Sequence, residues 1–133
     1  MARFVTFVCI GLAAGLAAPA SAQVMCSPNA LFNVGNKMGL ALADIYRAPS
    51  DNARSSFLRE AQSKLMSLKT NLRRAGITTQ DKAVDGAIKA VVAFAGKVGP
   101  TNLITIESAG KLGKDVEKLL GPVRSEVGRA CRN

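Results

Sequence analysis

Two cysteines and a run of cations are the residues whose type and spacing bear most directly on chemistry. Beyond residue 22 the cysteines are Cys26 and Cys131. They stand near the two ends of that stretch, no C-x-x-C pair is present, and no other soft ligand accompanies them. In an exported chain this argues for a structural disulfide rather than a redox or metal site. The bridge would close a loop of 106 residues, for which chain entropy predicts a stabilisation of about 4.7 kcal/mol.

The cations are Arg54, Arg59, Lys64, Lys69, Arg73 and Arg74, with Glu60 the single acid among them. A helix carrying them would attract lipid head groups, acidic polysaccharide or an acidic protein. No aromatic residue is interleaved for base stacking, so sequence-specific nucleic-acid binding is not expected. The competing reading is a solvated face whose charge only keeps the protein in solution.

Other chemistries lack their residues. The chain contains no histidine, which removes a Ser-His-Asp or Cys-His catalytic set, imidazole-bound zinc, His-ligated haem and the Glu-x-x-His pairs of di-metal bundles. Beyond residue 22 the acids are Asp44, Asp51, Glu60, Asp81, Asp85, Glu107, Asp115, Glu117 and Glu126. All read as lying off the apolar stripes, so no buried acid pair for glycoside chemistry is expected. No catalytic residue, cofactor or metal ligand is assigned.

The elements that would position these residues follow from length and periodicity. The chain has 133 residues, 48% hydrophobic, and a formal net charge of +9. That is room for one domain. Residues 1–22 read as a cleaved secretory signal peptide: Arg3 precedes an apolar run over 4–18, and Ala20 and Ala22 form an A-x-A cleavage site. The run is shorter than the roughly 20 residues that span a bilayer, and Cys9 within it has no lipobox. Cleavage after Ala22 predicts a bacterial periplasmic or secreted protein, residues 23–133, with no transmembrane segment.

Four apolar stripes follow, each at alternating spacings of three and four, the helical period. The first carries Leu31, Val34, Met38, Ala41 and Ile45, opened by Ser27-Pro28 and stopped by Pro49. The second carries Leu58, Ala61, Leu65, Leu68, Leu72 and Ala75, capped by Ser50 or Asp51 and ended by Gly76. The third opens at Thr78 or Thr79 with Val84, Ala87, Val91, Phe94 and Val98, widened by Ile88, Val92 and Ala95. The fourth begins near Thr101 and carries Ile106, Ala109, Gly113, Val116, Leu120, Val123, Val127 and Ala130.

Pro122 lacks the N–H that would bond residue 118, which predicts a kink or a split of that fourth helix at Gly121-Pro122. Gly35, Gly39, Gly86 and Gly110 are costly inside helices. Gly113 lies on its stripe, where a missing side chain lets two backbones approach, whereas Gly110 and Gly121 fit close packing or a flexible cleft equally.

Four short-linked helices predict an all-α, antiparallel four-helix bundle, which returns Cys131 to the end where Cys26 begins. The leading functional expectation is a small exported, non-enzymatic binding or accessory module with a basic helix turned to an anionic partner. The alternatives are a carrier holding a small apolar ligand between the helices and a small enzyme using Arg and Lys on an anionic substrate.

Overall fold

The computed structural model describes residues 28–51 and 54–130, and the side chains of 32–51 and 54–129. The expected cleavage site and the Cys26–Cys131 pair lie outside the described residues. Four α-helices account for most of what is described: α1 (Pro28–Arg47), α2 (Ser56–Arg74), α3 (Asp81–Gly96) and α4 (Ile106–Ala130), with a 3₁₀ turn at Ala48–Asp51 after α1. The described residues form no strand, only one isolated bridge between Gly99 and Asn102. The protein is all-α.

Each helix boundary has a local cause. Pro28 occupies the first turn of α1, where its missing N–H has no intrahelical partner to lose. Asp51 starts α2 from five residues upstream: its carboxylate accepts the Ser56 N–H at 2.7 Å and also the Ser56 hydroxyl. Ser55, at the cap position itself, has a left-handed φ of 61° and no side-chain cap bond. The end of α2 is a Schellman motif, with Gly76 at φ 81°, its N–H bonded to the Arg73 carbonyl and the Ile77 N–H to that of Leu72.

Two starts fall later than expected. The Asp81 N–H is bonded to the Thr78 carbonyl at 3.1 Å, so Thr78 and Thr79 belong to a turn and α3 opens at Asp81. Before α4, Gly99 and Asn102 exchange both backbone hydrogen bonds, Asn102 Nδ2 caps the Lys97 carbonyl, and Ile104 is buried in the core. The helix therefore starts at Ile106 rather than near Thr101. Thr105 and Ser108 cap it reciprocally, each hydroxyl oxygen accepting the other's N–H at 3.0 Å.

The split at Gly121-Pro122 does not occur, for α4 runs unbroken through Pro122. Pro122 is exposed and so is Lys118, so the carbonyl deprived of its donor can be met by water. Gly121 has no Cβ to clash with the proline ring, and Leu120, Val123 and Val127 are buried on the opposite face.

Packing follows a ring. Each helix lies against its chain neighbours and α1 also lies against α4, while the backbones of α1 and α3, and of α2 and α4, make no close approach. The core between them holds Met38, Ile45, Leu58, Leu65, Leu68, Leu72, Val84, Val91, Val116, Leu120 and Val123, all at most 2% exposed. Truncating one of these leucines to Ala would cost about 2–5 kcal/mol.

The stripes differ from expectation at four positions. Ile106 is 85% exposed because it is the first residue of α4, and Val92 lies 45% exposed on the outer edge of α3. Leu42 and Leu112 are buried although neither was placed on a stripe. Asp44 is the one buried polar residue among those described, held by Lys64 of α2.

Candidate binding surface

The six cations of the second helix region divide into two groups. Lys64 reaches the buried carboxylate of Asp44 on α1, with Glu60 on its own helix 3.9 Å away. Lys69 donates to Asp85 Oδ1 on α3 at 2.7 Å. Arg73 donates through Nε and Nη2 to Asp81 Oδ2, also on α3, at 3.0 and 2.9 Å. These three are ties between helices. Arg54, Arg59 and Arg74 form no ion pair within 4 Å among the described residues, although Arg54 lies close enough to Asp51 to act on it electrostatically.

The ties leave electrostatic traces. The hydrogen bond from Lys69 lowers the pKa of Asp85 below its usual 3.8 despite some desolvation, with the charges of Lys69, Arg73 and Lys89 adding to it. Hydrogen bonding to Asp81, reinforced by the charge of that carboxylate, raises the pKa of Arg73. Both Arg73 donors use the same oxygen, and Asp81 Oδ1 is buried without a hydrogen-bond partner among the described residues.

The unpaired arginines frame a groove. A shallow depression of about 610 Å³ runs along the outer face of α2, lined by Arg59, Gln62, Ser63, Met66, Ser67, Thr70, Asn71 and Arg74. These positions recur every three or four residues, so they share one helical face opposite the buried leucines. The two arginines mark its ends, about 22 Å apart at 1.5 Å per residue. Between them are amide and hydroxyl groups, a 54% exposed Met66, and no carboxylate. Thr70 returns its hydroxyl to the Met66 carbonyl at 3.2 Å, whereas Gln62, Ser63, Ser67 and Asn71 make no side-chain hydrogen bond among the described residues.

Two further cavities lie where α3 meets α4. One of about 500 Å³ is lined by Ala83, Asp115, Lys118, Leu119 and Pro122. The other, about 180 Å³, is lined by Phe94, Lys97, Val98, Asn102, Leu103, Thr105 and Ser108. Neither includes any of the fully buried core side chains, and neither gathers several cations. Among the described residues no cluster of Cys, Asp or Glu could hold a metal ion, and no helix is long and apolar enough to cross a membrane.

The glycines also separate. A Cβ on Gly113 would fall 2.5 Å from Cζ of Tyr46, so the tyrosine ring of α1 lies directly across this glycine of α4. Gly86 faces Leu119 at ordinary contact distance, while Gly35, Gly39, Gly110 and Gly121 have open space where a Cβ would stand.

Sequence reasoning missed Asp44 and the pairing of three cations with acids on other helices. A signal for Asp44 existed: it stands three residues after Ala41 and one before Ile45, within the arc of the α1 stripe. Against known protein families, characterised proteins and solved structures the chain shows no significant match.

Proposed function

We propose that this chain is a small exported, non-enzymatic binding module that meets an anionic partner through the outer face of α2. The observation that carries the reading is the groove flanked by Arg59 and Arg74, two arginines without acidic partners among the described residues, on a helix whose other face is buried in the apolar core. The surface thereby narrows from six cations to Arg59 and Arg74, with Arg54 nearby in sequence. A carrier would need an apolar cavity between the helices, and an enzyme of the electrostatic kind would need cations converging inward. The described cavities offer neither arrangement.

The scaffold in this proposal is an antiparallel, up-down-up-down four-helix bundle. Interhelix partners support that reading because they run in opposite directions between α1 and α2 and between α2 and α3. Asp44 meets Lys64 while Arg47 stacks on Phe57, and Lys69 meets Asp85 while Arg73 meets Asp81. Tyr46 over Gly113 fixes the register of α1 on α4. From there Cys26 lies 20 residues back along the chain and Cys131 lies 18 residues onward, about 30 and 27 Å if helical throughout. Antiparallel helices would bring those ends together, which supports a Cys26–Cys131 disulfide and, with it, an oxidising periplasmic or extracellular location after cleavage at Ala22.

The test is charge reversal on the two faces. Arg59→Glu with Arg74→Glu should abolish capture of the mature protein on immobilised anionic surfaces, both lipid vesicles and polyuronate, without changing helical circular dichroism. Reversal of Lys111, Lys114 and Lys118 on α4 is the comparison. Equal losses from the two sets would reduce the effect to net charge and remove the case for an α2 site.

A further inference from the structure

Resting on the α2 reading above, we infer that the groove is a track for an acidic polysaccharide, a polymer of sugars bearing carboxylates. The lining supplies the argument. A membrane surface is held by clusters of cations, each worth about 1 kcal/mol near anionic lipid, or by apolar side chains that insert. Here two arginines stand about 22 Å apart, and the side chains between them are amides and hydroxyls with Met66 alone apolar.

A single-stranded nucleic acid would require aromatic stacking platforms, and the groove contains no ring. Sugar hydroxyls are both donors and acceptors, as are the side chains of Gln62, Ser63, Ser67 and Asn71. These four are not committed to other side-chain hydrogen bonds among the described residues. Carboxylates on the polymer would pair with the planar forks of Arg59 and Arg74 at either end. No acid lines the groove itself, and Glu60, exposed at its Arg59 end, has Lys64 3.9 Å away to offset its charge. Binding should therefore need both ends of the groove and its middle: charge sets the attraction, and the neutral row sets the kind of polymer.

The experiment is calorimetric titration of the mature protein with defined oligogalacturonate, polyglutamate of matched charge, and vesicles containing anionic phospholipid. Two variants accompany it, Arg59→Gln with Arg74→Gln, and Gln62→Ala with Ser67→Ala and Asn71→Ala. All five positions face solvent or lie partly exposed, and circular dichroism checks that helix content is kept. The expected result is oligogalacturonate binding that exceeds polyglutamate binding. The arginine pair should weaken it by about tenfold, as two exposed charge contacts would, and the neutral triple by several-fold. Oligogalacturonate and polyglutamate binding equally, with the neutral triple silent, would overturn the polysaccharide assignment and leave an anion site. Binding to vesicles without binding to oligogalacturonate would also overturn it while leaving the α2 reading intact. Binding to none of the three would remove both.

Discussion

Replacing Lys64 with methionine keeps the stem of the side chain and removes its charge, stranding the carboxylate of Asp44, whose side chain is 4% exposed. Breaking a buried pair from one side costs about 3–5 kcal/mol because the remaining charge is left without compensation. Lys64 is itself 26% exposed, which places the expected loss for Lys64→Met at the lower end of that range, about 3–4 kcal/mol, a fall in melting temperature of about 15–20 °C for a domain near 100 residues.

Asp44→Asn should be much milder, about 1 kcal/mol. Lys64 is 26% exposed, and Glu60 is already 3.9 Å away to take its charge. The double variant Lys64→Met with Asp44→Leu should recover most of the loss, since an apolar pair of similar volume replaces a buried ion pair with little penalty. Thermal unfolding followed by circular dichroism at pH 7 measures all of this. Equal losses from the two single substitutions, or no recovery in the double variant, would refute the account of Asp44 as a buried charge held by Lys64.

Gly113→Ala should displace the Tyr46 ring, and because the chain has one tyrosine and no tryptophan, intrinsic fluorescence reads that displacement directly. In contrast Gly35→Ala, Gly39→Ala and Gly110→Ala add a Cβ into open space, and each should raise stability by about 0.5–1 kcal/mol in chemical denaturation. Pro122→Ala should restore the bond to the Lys118 carbonyl and raise stability by about 1–3 kcal/mol, read in the same assay. Hydrogen bonds from Ser56 to Asp51 and from Lys69 to Asp85 hold both carboxyls below their usual 3.8. A lowered folded-state value means stability that is present above 3.8 and lost as pH falls below it through the folded value. Melting temperatures between pH 5 and pH 2 should fall accordingly, and Asp85→Asn should flatten part of that descent.

The legibility of this fold in its sequence followed the strength of each local signal. The α2 stripe was legible because five of its positions, Leu58 to Leu72, alternate without exception and all are buried. Gly76 was legible as a stop because only the left-handed region closes a Schellman motif without a Cβ penalty. Capping by Ser50 or Asp51 was expected; Ser50 turns back to the Arg47 carbonyl, and Asp51 reaches forward five residues, which depends on the 3₁₀ turn it closes. The split allowed for at Pro122 did not occur, because a local backbone rule was outweighed by a continuous buried face on Leu120, Val123 and Val127. The candidate surface was only half legible. Six cations in one segment were visible, but pairing Lys64, Lys69 and Arg73 with acids 8–20 residues away required knowing which helix faces which.

The central claim is that binding occurs on the outside of α2, and residue-resolved NMR tests it most directly. Isotope-labelled protein spanning residues 23–133 would be titrated with oligogalacturonate, amide and methionine-methyl shifts being followed at about 0.15 M salt, where screening confines charge effects to about 8 Å. The account predicts changes concentrated on Arg59, Gln62, Ser63, Met66, Ser67, Thr70, Asn71 and Arg74. Changes centred on core positions such as Val84, Val91 and Val116, or spread over Lys111, Lys114 and Lys118, would contradict it.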